Sequence, residues 1–141
     1  MDTFELPAES LAAIRQLFFE ECEEHLAALE EGLQALLRGT AAPDTLTTAI
    51  RAAHSIRGGA AIFDLKPISH LAHLFELGLE AAKSDPALLS PDTLTRWLAA
   101  AGGLVSIVHS ARAGDEIDEV MMRTASEAVT APAERRGATG G

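Results

Sequence analysis

Apolar side chains recur along this chain every three or four residues, the period of a helix with one buried face. Leu11, Ile14, Phe18, Cys22, Leu29, Leu33 and Leu36 follow that spacing and predict a first helix from about Ala8 to Leu37, closed by the breaker stretch Gly39 to Ala42. A second helix is predicted from about Pro43 to Phe63, with Leu46, Ala49, Ile50, Ala53, Ala60 and Phe63 gathered on one side. The third begins near Lys66 or Pro67, turns Ile68, Leu71, Ala72, Phe75, Leu79 and Ala82 inward, and stops at Ser84-Asp85-Pro86. Ser90-Pro91-Asp92 supplies a cap, a first-turn proline and a first-turn acid, opening a fourth helix through Leu94, Leu98, Val105 and Val108. Gly114 and Asp115 then restart the chain, and a fifth segment runs to about Val129. Its apolar positions, Ile117, Val120, Met121 and Val129, are sparser, so it is expected on the end or flank of the others.

Short links between long helices make neighbours antiparallel. The expected fold is all-α, an up-and-down antiparallel helical bundle with a four-helix core plus a fifth C-terminal helix. Residues 1–130 form the expected domain. Residues 131–141, ending PAERRGATGG, lack apolar periodicity and suggest a flexible tail or the start of a linker.

Composition narrows the function classes. A chain of 141 residues suits one domain with its own core, and the absence of tyrosine agrees with helix rather than sheet. The single cysteine, Cys22, excludes an internal disulfide, and its place on an apolar stripe suits packing. No uninterrupted apolar run reaches the roughly 20 residues of a membrane span, so no membrane is expected and a cytoplasmic protein follows. A formal net charge of -10 argues against nucleic acid, whose binders meet phosphates with basic side chains. Glu20, Glu21, Glu23, Glu24, Glu30 and Glu31 suit the solvated face of a helix.

Candidate chemistry concentrates in RAAHSIRGGAAIF, from Arg51 to Phe63. At about 100° per residue, His54 falls on the shoulder of the second helix's stripe, beside Thr47, Arg51 and Gly58. Adjacent glycines inside a helix each cost on the order of 1 kcal/mol relative to alanine. Gly58 and Gly59 therefore call for a reason, and bare backbone one turn from His54 would let another molecule approach the ring. A histidine that accepts a phosphoryl group needs one nitrogen unprotonated, which is easiest when the other donates to a fixed acceptor. Glu76 has the same offset from Ile68, about 80°, as His54 has from Leu46, so antiparallel packing could join the two shoulders. In that arrangement Glu76 accepts from Nδ1 of His54, leaving Nε2 as nucleophile, and Arg57 could neutralise phosphate oxygens.

These residues, with LFFEECEEHLAALE upstream and HLFELGLEAAK downstream, resemble the histidine phosphotransfer family, most closely the N-terminal phosphotransfer domain of the chemotaxis kinase CheA. The resemblance runs from about Leu17 to Lys83. It implies that His54 receives phosphate from the catalytic domain of a CheA-type kinase, in cis or in trans, and passes it to an aspartate of a CheY-like response-regulator receiver. It also implies that Glu76 orients His54 and that His73 sits in the hydrogen-bond network. The family usually has lysine where this chain has Arg57, and glycine where it has Asp64. Docking is expected to use small and apolar residues around His54, namely Gly58, Ile62, Phe19 and Leu26.

The chain has neither a glycine-rich nucleotide loop nor an acidic cluster arranged for Mg²⁺. ATP and Mg²⁺ are expected on partner domains, and the chain is not expected to act as a kinase alone. One alternative is a helical-bundle metal site on His70, His73 and Glu76. Another is a structural adaptor or dimerisation domain, which leaves the glycines beside His54 without a reason.

Overall fold

The computed structural model describes residues 7–132, and its described residues form helices and their connections, with no strand among them. They are α1 (Ala8–Arg38), α2 (Thr45–Ile62), α3 (Lys66–Ser84), α4 (Pro91–Ala113) and α5 (Glu119–Thr130), with a single 3₁₀ turn at Pro86–Leu88. Of the tail expected at residues 131–141, residues 133–141 lie outside the described residues.

Local chemistry sets several of these ends. Gly39 and Gly114 close α1 and α4 at φ 74° and 79°, the left-handed conformation that costs glycine no Cβ clash. Ser90 caps α4 by accepting from the Thr93 N–H. The fifth helix starts later than the expected Asp115, because Asp118 is its cap and accepts from the Val120 and Met121 N–H groups.

Pairings across the bundle show the direction of each helix. On α1 and α2, Gly32 lies against Ala49 and Phe18 against Phe63, so residue numbers rise on one as they fall on the other. The same inverse order joins α2 to α3 through His54–Glu76 and Ser69–Arg57. It joins α1 to α4 through Arg15–Ala111 and Glu23–His109. Helix α5 folds back along α4, with Ala125 against Gly103 and the Ala128 carbonyl accepting from Arg96. The result is the expected antiparallel bundle, with α5 on its flank. Its centre is filled by Leu29, Leu33, Ile56, Leu71, Phe75, Leu79, Leu104 and Ile107, each fully buried side chain contributing on the order of 1.5–3 kcal/mol of transfer free energy.

Three apolar expectations change. Leu11 and Ile14 are exposed rather than buried, because α1 has 31 residues and α2 only 18. At 1.5 Å per residue, the first turns of α1 project past the point where Phe18 meets Phe63 at the end of α2. Val120 is exposed as well, on the outer side of α5, whose buried residues are Ala125 and Val129.

Candidate functional site

The α2–α3 seam carries the site. His54 and Arg57 stand three residues apart on α2, so they share a face, and Ser69 and Glu76 stand seven apart on α3, two turns along one stripe. Ser69 ties the two helices together by donating its hydroxyl to the Arg57 carbonyl at 3.2 Å.

Glu76 is the centre of the arrangement. Its side chain is only 10% exposed, whereas the His54 side chain is 60% exposed. Oε2 lies 2.7 Å from Nδ1 of His54, and Oε1 accepts from Nε of Arg57 at 2.8 Å. A buried carboxylate at that distance requires the proton on Nδ1. In the neutral ring Nε2 is then the nitrogen with the free lone pair, on the edge facing away from Glu76. Arg57 Nη2 also lies 3.1 Å from Nδ1, but Nδ1, donating to the carboxylate, has no lone pair left for it. The guanidinium is held by Glu76 instead.

Burial alone would raise the Glu76 carboxyl. The hydrogen bond from His54 and the neighbouring Arg57 charge outweigh it and hold the group below the usual glutamate range. At neutral pH the site therefore keeps a negative charge against Nδ1. His73 is near, its Nδ1 4.0 Å from Oε1, but that is beyond hydrogen-bond reach, and this nitrogen has no partner. It adjoins the network implied by the resemblance without bonding into it.

The structure brings His54, Glu76, Arg57 and His73 together and separates the docking candidates. Ile62 is 78% exposed, and a Cβ added at Gly58 would meet nothing within 4 Å. Phe19 and Leu26 are instead core residues, 1% and 3% exposed, because α1 turns them toward the interior; neither can offer a surface. Gly59 also has an internal reason: a Cβ there would lie 2.6 Å from the Phe18 ring. The alternative metal set of His70, His73 and Glu76 fails geometrically. Among the described residues no three His, Cys, Asp or Glu side chains converge as ligands, and both Glu76 oxygens are engaged by His54 and Arg57. The Ser69 clamp was missed, although its seven-residue spacing from Glu76 placed it on the same face.

A family model described as the Hpt domain matches residues 13–119, a span that contains every residue of this site. The chain belongs to the Hpt domain family. As an Hpt domain it is similar to three proteins called chemotaxis protein CheA. The one from Rhizobium meliloti (strain 1021) is 40% identical over 110 residues, 78% of this chain and 14% of the relative. The one from Cereibacter sphaeroides is 37% identical over 106 residues, 73% of this chain and 16% of the relative. The Klebsiella aerogenes protein is 38% identical over 90 residues, 62% of this chain and 14% of the relative. The Hpt domain thus spans about a seventh of these longer proteins. Among its described residues no helix is long and apolar enough to cross a membrane.

Proposed function

We propose that this Hpt domain is the phosphohistidine carrier of a chemotaxis-type phosphorelay, with His54 as the phosphoacceptor. The observation that carries the reading is an exposed imidazole whose Nδ1 is fixed 2.7 Å from a buried carboxylate. The names of its relatives supply the chemotaxis context.

Nε2 attacks the terminal phosphorus of ATP held by a CheA-type catalytic domain, in cis or in trans. A P–N bond forms as the P–O bond to ADP breaks, and ADP leaves with the electron pair. Because Nε2 carries no proton, no base is needed to remove one. The ring gains positive character, which the Glu76 carboxylate stabilises through Nδ1–H. In the second step an aspartate carboxylate of a CheY-like receiver attacks phosphorus, and the P–N electron pair returns to Nε2. ATP and Mg²⁺ are supplied by the partner domains, and Mg²⁺ there neutralises phosphate charge. Gly58 and the exposed Ile62, one and two turns along α2 from His54, form the approach surface for both partners.

The test incubates the chain with labelled ATP, Mg²⁺ and a CheA-type catalytic domain. Label on the parent chain that survives alkali and is lost in acid is expected, with none on a folded His54→Gln variant. Label retained by His54→Gln removes the assignment.

A further inference from the structure

Beside the phosphoacceptor, at the C-terminal end of α2 and the first two turns of α3, lies an open concavity of about 310 Å³ lined by Arg57, Lys66, Ser69, His70 and His73. Every lining side chain can donate a hydrogen bond and none is a carboxylate. That is unexpected in a chain with 21 Asp and Glu against 11 Lys and Arg. Ser69 already donates its hydroxyl to the Arg57 carbonyl; the other donors are largely uncommitted. Arg57 uses Nε on Glu76, and both of its terminal nitrogens remain. Lys66 has only a 4.0 Å approach to Asp64, with both side chains more than 80% exposed, a pairing that holds it weakly. Nδ1 of His73 is buried 4.0 Å from the Glu76 carboxylate, so the exposed part of this half-exposed ring is what His73 offers the concavity.

We propose that this concavity is a non-covalent site for a phosphate-class oxyanion, separate from the phosphoryl group carried by His54. Separation follows from the ring. Nδ1 of His54 faces Glu76 and Arg57, the latter a lining residue of the concavity, while Nε2 occupies the other edge. A phosphoryl group on Nε2 therefore points away from Glu76 and from the Arg57 Nη2 that faces Nδ1. A dianionic group with several acceptor oxygens matches converging cationic donors better than a single carboxylate does. The concavity has room for more than one phosphate, so free phosphate and the diphosphate of a nucleotide are two sources of the same chemistry. The site goes beyond the carrier reading and does not require it.

The experiment titrates the ¹⁵N-labelled chain with phosphate, pyrophosphate, ADP and adenosine at constant ionic strength, following backbone amides. Saturable shifts confined to the Arg57 neighbourhood and residues 66–73 are expected with phosphate and pyrophosphate. ADP reproduces them if nucleotide is a source, and its failure to do so assigns the site to free phosphate or pyrophosphate. Lys66→Ser with His70→Gln, both exposed positions, should weaken binding roughly tenfold or more, and Lys66→Glu should abolish it. His54→Gln should retain it, so that loss of phosphorylation and loss of this site are read independently. Shifts that follow chloride equally, that adenosine alone produces, that survive the double variant, or that vanish in His54→Gln would each overturn the proposal.

Discussion

Glu76 fixes the chemistry of its neighbour because each of its oxygens has one partner, His54 on one and Arg57 on the other. Glu76→Gln preserves the shape but removes the charge and makes the acceptor ambiguous, so labelling of His54 should slow about 10- to 100-fold. Imidazole ¹⁵N shifts should show the proton no longer confined to Nδ1. The same carboxyl links stability to pH. Its folded value is lowered, so its contribution is complete above the free glutamate value of about 4.3 and is lost as pH falls through the lower folded value. Urea midpoints measured from neutral to acid pH should fall less steeply in Glu76→Gln than in the parent. Asp64 is a second informative position, at φ 55° immediately after α2, where a side chain is strained and glycine is not. Asp64→Gly should stabilise the chain by about 0.5–1 kcal/mol in urea denaturation, the relief of strain outweighing the added freedom of the unfolded chain.

The glycine pair on α2 separates packing from docking within one helix. Gly59 is required by the Phe18 ring, itself packed edge-on against Phe19 and at a tilt against Phe63, so Gly59→Ala should destabilise by about 1–3 kcal/mol through overpacking. Gly58 faces open space, and Gly58→Ala should leave stability equal or raised by up to about 1 kcal/mol. If Gly58 is part of the approach surface, transfer to and from His54 slows in that variant while thermal denaturation shows no loss. Unchanged transfer would remove Gly58 from that surface. The sequence located the pair next to His54, but periodicity alone could not tell these roles apart, because the difference lies in what α1 places against each backbone. The five helices were legible from local signals: apolar spacing, the Ser90 cap and the glycines that end α1 and α4. The late start of α5 was not, since Asp115 and Asp118 are both acceptable caps and only Asp118 bonds to the N–H groups of the following turn.

The bundle as a unit is reported by Cys22, which is buried in the core. Its thiol is pushed up to about 12, first by burial and then by the Glu23 charge. Cys22 should therefore resist a thiol reagent in the native state, and its labelling rate in increasing urea should follow global unfolding; rapid labelling without denaturant would contradict this burial. Residue order alone established the helices, their antiparallel connection, and the matching shoulder positions of His54 on α2 and Glu76 on α3. These follow from hydrogen bonds and side-chain spacing within single segments. Packing between helices decided the rest: that Phe19 and Leu26 are core and Phe18 lies over Gly59, that Leu11 and Ile14 project beyond α2, and that Arg57 is held by Glu76. A spacing of 100° per residue orders side chains around one axis, but the rotation of that axis against its neighbours is set by which large side chains fill the shared interior.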